Sequence, residues 1–243
     1  MTKPLRLSYT KLSFYLTCPY KYYLRYEEKR PYYPGKMTKY GSNIHRSVKD
    51  FSEIIKEGIE LTPQKQAELI ENQWTSVTAD KIENQRLKEL SIQQMQMFME
   101  KNKEAIAGKT LFCEEGFKYQ INDNLILNGY IDRVDLIGES EVEIIDYKSG
   151  EERILFDDDV QLNFYALVIR DHYKLIPKIL SLYFLSTHNK FSVDASNENI
   201  NAVKDLILLT ADNILFKEFS PTEKSYEHCP VCFYNRICPY ALA

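Results

Sequence analysis

Residues 129–150 read GYIDRVDLIGESEVEIIDYKSG. Two runs rich in β-branched and aromatic residues flank Gly-Glu-Ser, the composition of a turn between antiparallel strands. Alternate residues of a strand share a face. Val142, Ile144, Asp146 and Lys148 therefore line up, and an apolar face ends in an acid and a base. Burying such charges is costly unless they act together. For Asp146 and Lys148 alone, an ion pair at a sheet rim is an equally good reading. Asp132 shifts the balance, because in a hairpin it can approach Asp146. Two carboxylates in contact repel, and a divalent cation relieves the repulsion. All-oxygen ligands suit magnesium or manganese, which activate water and offset charge developing on a phosphate. Lys148 is suited to stabilise the attacking hydroxide or the transition state. Asp135 lies three residues beyond Asp132 and so on the opposite face.

Working outward, residues 111–121 and 125–137 complete a three-stranded meander with 141–148. Helical spacing returns over 158–171, a buried strand is expected over 178–186, and an amphipathic helix over 198–217. Upstream, residues 8–29 predict a helix begun by Ser8 and disturbed at Cys18-Pro19. Pro31, Pro34 and Gly35 mark a loop, and Gly41-Ser42 starts a helix to about Ile55 with Ser42 as its N-cap. Residues 62–103 are polar, with broken helical spacing. The fold class is thus α/β, a mixed sheet core flanked by helices. The expected organisation is a single domain over 1–243. It comprises a basic segment (1–49), a helical insertion (50–108), a core (109–190), and a final helix and tail (191–243).

The chain has 243 residues and a net charge of −4. Residues 1–49 nevertheless hold eleven Lys or Arg against Glu27 and Glu28, a balance of +9 that leaves −13 for the remainder. Nine of the eighteen tyrosines also fall within the first forty residues. Such a segment can neutralise phosphates and stack on bases. The competing reading is a solvated basic helix face with tyrosines in the core. No run is long and apolar enough to cross a bilayer, and MTKPLRLSYT lacks the apolar centre of a secretion signal. A cytoplasmic protein without membrane contact is expected, where disulfides are rare.

GYIDRVDL followed by IIDYKSG resembles the paired motifs of the RecB-like branch of the PD-(D/E)XK nucleases. The resemblance implies a restriction-endonuclease-like core, metal-dependent hydrolysis of DNA phosphodiesters, and Mg2+ or Mn2+ as cofactor. It assigns metal ligation to Asp132, Asp146 and the backbone carbonyl of Tyr147, and catalysis to Lys148. DVQLNFYAL (159–167) resembles the family's Q-x-x-x-Y helix, in which Gln161 and Tyr165, four apart on one face, orient the lysine and contact the DNA backbone. GSNIHRSV (41–48) resembles its G-x-x-x-H segment, giving His45 as a further ligand. Taken alone, a histidine on a helix is more often structural. Glu115, or equally Glu114, matches an upstream acidic position.

Cys229, Cys232 and Cys238 have C-x2-C-x5-C spacing, and Cys18 lies 211 residues before Cys229. Proline follows Cys18, Cys229 and Cys238. A zinc ribbon needs a second C-x2-C, which is missing. A site using His228 would leave Cys18 without a role. Four thiolates beside prolines suit an iron–sulfur cluster better. The layout resembles the AddB nuclease domain and the iron–sulfur exonuclease of CRISPR adaptation, where one N-terminal and three C-terminal cysteines hold a 4Fe-4S cluster joining the termini. LSYTKLSFYLTCPYKYYLRY (7–26) resembles the N-terminal segment of the same group. Cys113, inside an expected strand, reads as an apolar core residue. The resemblance implies an exonuclease on single-stranded DNA or DNA ends, in CRISPR adaptation or in repair, with a helicase or a CRISPR integrase as partner. No Walker A motif is present to supply a motor from within these residues. The alternative is a non-catalytic, cluster-bearing DNA-binding or scaffold protein within a larger complex.

Overall fold

The computed structural model describes residues 3–153 and 156–241. The chain divides into two units, one of Pro34–Gly116 and Tyr130–Asn197, the other of Met1–Tyr33, Phe117–Gly129 and Glu198–Ala243.

In the first unit, β3 (Leu125–Leu136, from Tyr130 onward), β4 (Glu141–Lys148), β5 (Ile176–Phe184) and β6 (Lys190–Asp194) pair in that order. β3 and β4 are antiparallel with Val134 opposite Ile144, which makes residues 129–150 a hairpin. β4 and β5 are parallel, with Asp146 beside Leu182 and Lys148 beside Phe184. Parallel neighbours need a crossover, and α6 (Phe156–Asp171) supplies it while packing against both strands. β5 and β6 are antiparallel, so this sheet is mixed. One face carries Ile145, Tyr147 and Tyr183 into a core with Tyr40, Ile44, Val48 and Phe51 of α3 (Lys36–Lys56) and Met95, Phe98 and Ile106 of α5 (Lys81–Gly108). The other buries Val142, Ile144, Leu180 and Leu182. Residues 160 and 162–169 of α6 are all buried, the property of a helix covered all round.

One sequence expectation needs correction here. α3 begins at Lys36 rather than at Gly41, with Gly35 as its N-cap. Ser42 is an interior residue whose hydroxyl donates to the Thr38 carbonyl at 3.0 Å. The apolar anchor that extends the helix upstream is Tyr40, 1% exposed. The polar insertion is two helices: α4 (Pro63–Gln73), capped by Thr62, and the 28-residue α5, capped by Asp80 on the amides of Ile82 and Glu83. β6, fully exposed along Lys190–Asp194, had no signal beyond its short alternation.

In the second unit, α1 (Tyr9–Thr17) is capped by Ser8, whose hydroxyl accepts from the Lys11 amide. Cys18 is extended, ends α1 and caps α2 (Pro19–Tyr22), with Pro19 at the first helical position. A π-helical turn, Tyr23–Glu27, follows. β1 (Leu5–Leu7) pairs in parallel with Leu125–Leu127 of β3. The last helix is α7 (Asn197–Leu215). The tail beyond it holds two 3-10 segments, Glu223–Val231 and Asn235–Ile237. Several tyrosines of residues 9–26 pack onto this tail. Tyr15 donates to the Glu218 carbonyl, Tyr22 stacks on Phe219, and Tyr20 meets Tyr240 edge-on. Among the described residues, no helix is long and apolar enough to cross a membrane.

Candidate active site

β3 and β4 set the geometry. Asp132 and Asp146, 7% and 2% exposed, lie on the same face of the hairpin. Asp132 Oδ2 accepts the Tyr147 backbone N–H at 2.8 Å, which locks the two strands at the level of the carboxylates. Its Oδ1 faces His45 Nδ1 at 3.6 Å. His45 is delivered by α3, one turn after Gly41. A Cβ at Gly41 would stand 2.8 Å from Ser149 Oγ, so the missing side chain lets α3 approach the residue that follows Lys148.

Glu114, on β2 (Thr110–Asn122), completes a trio: its Oε1 lies 2.7 Å from His45 Nδ1. One ligand atom each from His45, Glu114 and Asp132 fall within 4.8 Å of one another. Glu114 has φ 51°, in the left-handed region that a side chain rarely adopts. That departure breaks the strand's alternation. Of the two acids left open by the sequence, Glu114 faces the site and Glu115 is exposed.

Lys148 Nζ reaches three oxygens: Asp146 Oδ2 at 2.9 Å, Gln161 Oε1 at 2.9 Å and Asp158 Oδ1 at 2.7 Å. The Gln161 amide also donates to Asp146 Oδ1 at 2.7 Å and to the Tyr165 hydroxyl at 3.2 Å. Lys148, Gln161 and Asp146 thus close a ring, with Tyr165 attached. Asp158 was missed in the sequence; its signal was the position three residues before Gln161, on the same helix face. Tyr147 turns its ring to the opposite face, edge-on to Phe98 and Tyr183. Asp135, also on that opposite face, is held by the Arg133 guanidinium at 2.7 Å.

Burial pushes the Asp146 carboxyl up to about 7, with Asp132 adding and Lys148 opposing. Burial also lifts Asp132 to about 6, against the pull of His45. Burial disfavours charged His45, but Asp132 and Glu114 overcome it and hold the imidazole at about 10. Lys148 is likewise opposed by burial, and Asp146 and Asp158 raise it above the ordinary lysine value. Three carboxylates crowded around one imidazole are an arrangement that a divalent cation would relieve.

A second constellation lies in the other unit. Cys18, Cys229, Cys232 and Cys238, all free thiols, line one cavity of about 90 Å³ with Lys21, Leu24 and Tyr234. Burial pushes the Cys238 thiol up, and the other three sulfurs add to the effect. Cys113 stands apart, its thiol donating to Ser52 Oγ at 2.9 Å.

The sequence profile described as the PD-(D/E)XK nuclease superfamily matches residues 6–239. Curated relatives are described as one of the subunits of an ATP-dependent helicase/deoxyribonuclease. That of Streptococcus agalactiae is 23% identical over 163 residues, 62% of this chain and 14% of the relative. That of Clostridium perfringens is 26% identical over 60% of this chain and 16% of the relative. That of Clostridium acetobutylicum is 25% identical over 70% and 18%. The chain thus spans less than a fifth of the length of these relatives. A solved structure from Eubacterium rectale, described as an exonuclease candidate, has the same fold: TM-score 0.56 at 9% identity, over 98% of this chain and 91% of that one.

Proposed function

The chain belongs to the PD-(D/E)XK nuclease superfamily, and from that premise we propose that it is an Mg2+- or Mn2+-dependent deoxyribonuclease acting on single-stranded DNA or DNA ends. The carrying observation is the convergence of His45 from α3, Glu114 from β2 and Asp132 from β3 within 4.8 Å, with Asp132 on the strand beside the one that bears Asp146 and Lys148. These donors fit a divalent cation. Carboxylates suit magnesium and manganese, and the single imidazole favours the transition ion. His45, Asp132, Asp146 and the Tyr147 carbonyl would hold it, with Glu114 beside them. When bound, it would supply Lewis acidity at a phosphate oxygen and lower the pKa of water. Lys148 presents a cation, kept charged by its carboxylate neighbours, to negative charge developing on the phosphate. Gln161 orients Lys148 and Asp146 together, and Tyr165 fixes Gln161 and contacts the DNA backbone.

A strand substrate draws support from the second unit. Tyr33 is 71% exposed, its ring lies near that of Phe233, and Arg25 sits 5.0 Å over Tyr32. Exposed aromatic rings beside guanidinium groups suit unpaired bases. The four cysteines of the cavity suit a 4Fe-4S cluster. A water needs about 10–15 Å³ of such space, so 90 Å³ offers room for a group of several atoms. The cluster would cross-link residue 18 to the C-terminal tail. The helicase/deoxyribonuclease relatives favour work beside a motor partner, and the AddB-like motifs favour end processing in repair. The cysteine layout favours, as a second reading, trimming of DNA for a CRISPR integrase.

The test is digestion of end-labelled linear and circular single strands by the purified protein with Mn2+ or Mg2+. Metal-dependent shortening of linear strands, abolished by Asp146→Ala, is expected. Cutting that persists in the pure variant would refute the assigned site. Strong DNA binding without any cutting would favour the scaffold reading.

A further inference from the structure

Resting on that reading of the site, we propose that Asp158 is a positioning residue that keeps Lys148 aimed once a cation occupies the Asp146 carboxylate. Lys148 has three N–H donors, and each has an acceptor: Asp146, Gln161 and Asp158. The first two belong to the closed ring, and both depend on Asp146. One Asp146 oxygen is taken by Lys148 and the other by Gln161. A cation that claims either oxygen must displace one of them. Displacing Lys148 removes its ion pair with Asp146; displacing Gln161 frees the amide that holds it. Asp158 stands outside the ring. Its carboxylate makes the shortest of the three contacts, 2.7 Å, and the residue is only 6% exposed. It comes from the first turns of α6, three residues before Gln161, so one helix face presents both acceptors to the same ammonium. Whichever of Lys148 and Gln161 is displaced, the Asp158 contact is the one to Lys148 that does not run through Asp146.

A merely structural pair would tie α6 to β4 and affect stability alone. The positioning role predicts more. Asp158→Ala should keep the Mn2+ dissociation constant and the KM for a linear single strand within twofold of wild type. It should lower kcat about 10- to 100-fold, the scale of an ångström-level misplacement of a reacting group. Asp158→Glu, which restores a carboxylate, should recover more of kcat than Asp158→Asn. A second readout needs no turnover. Acetylation of Lys148, followed by mass spectrometry against exposed Lys65 as internal standard, should rise severalfold in Asp158→Ala over wild type when Mg2+ is present. An unchanged kcat, a loss carried by KM or metal affinity instead, or unchanged Lys148 labelling would overturn the proposal. A wild-type protein that cuts no DNA would overturn the nuclease reading, and the labelling arm would still decide the role of Asp158.

Discussion

Gln161 Nε2 donates to Asp146 Oδ1 at 2.7 Å, so a helix amide and a strand carboxylate are held in direct contact. The oxygen of the same amide accepts from Lys148, which fixes which way round the amide sits. Gln161→Glu retains the acceptor for Lys148 and destroys the donor to Asp146. It also sets a carboxylate against a carboxylate that burial already disfavours. We expect kcat to fall by roughly 10- to 100-fold, with a weaker apparent Mn2+ constant and an unchanged KM for DNA. Steady-state digestion across a Mn2+ titration checks it; Gln161→Glu turnover equal to wild type would show that the donor is dispensable.

Glu114 is expected to separate metal affinity from stability. Glu114→Gly removes a residue at φ 51°, where a side chain costs about 1–2 kcal/mol. It also takes away the partner of His45 at 2.7 Å. The two effects oppose, so the change in unfolding free energy should stay within about 1 kcal/mol. Mn2+ affinity, read by calorimetry, should drop at least about tenfold, the scale of losing a ligand or its close support. An affinity equal to wild type would remove Glu114 from the site.

The site also makes stability depend on pH in a direction that metal reverses. Asp132 and Asp146 sit at about 6 and 7 in the fold against an ordinary 3.8, and His45 at about 10 against 6.5. All three are raised. The contribution of the carboxyls is complete below about pH 4 and is lost as pH rises through their folded values. That of His45 is complete below about 6.5 and is lost as pH rises towards 10. The metal-free site therefore favours folding less as pH increases. A divalent cation binds only ionised carboxylates and a deprotonated imidazole, so its stabilisation should grow over the same range. Melting curves in chelator and in Mn2+, from about pH 5 to 8.5, are expected to diverge with rising pH. A gap independent of pH would show that these groups do not ligate the ion.

The hairpin and the side on which Asp146 and Lys148 lie were legible because strand alternation is strict: a residue is on one face or the other. Gln161 and Tyr165 were legible as a pair because a helix brings residues four apart together. What escaped the sequence depends on conformation rather than pattern. The choice between Glu114 and Glu115 was decided by one backbone angle, φ 51°, that no composition announces. Asp158 escaped because it belongs to a run of three consecutive aspartates, and only the phase of α6 selects the one that reaches Lys148. The start of α3 was misplaced because Gly41-Ser42 looks like a helix beginning. Gly41 is there for a different reason, the close approach to Ser149. β1, three residues long, offers too short a run for alternation to register.

The cysteine cavity yields the last prediction, in which two cysteines serve as each other's control. Cys18 lines the cavity with Cys229, Cys232 and Cys238, whereas Cys113 lies in the other unit against Ser52. A group bound by all four would close a loop of 211 residues between Cys18 and Cys229. Chain-entropy arguments give such a cross-link about 5 kcal/mol, comparable to the whole stability of a domain. Cys18→Ser should therefore lose bound iron and lower the melting temperature steeply after anaerobic purification. Cys113→Ala removes only a small, partly buried side chain. It should keep its iron and cost about 1–2 kcal/mol. Iron and sulfide analysis with thermal melts distinguishes the outcomes. If Cys18→Ser retains wild-type iron and melting temperature, Cys18 is not a ligand. If the wild-type protein is colourless and holds one zinc per chain, the cavity binds a single ion and the cross-link passes through zinc.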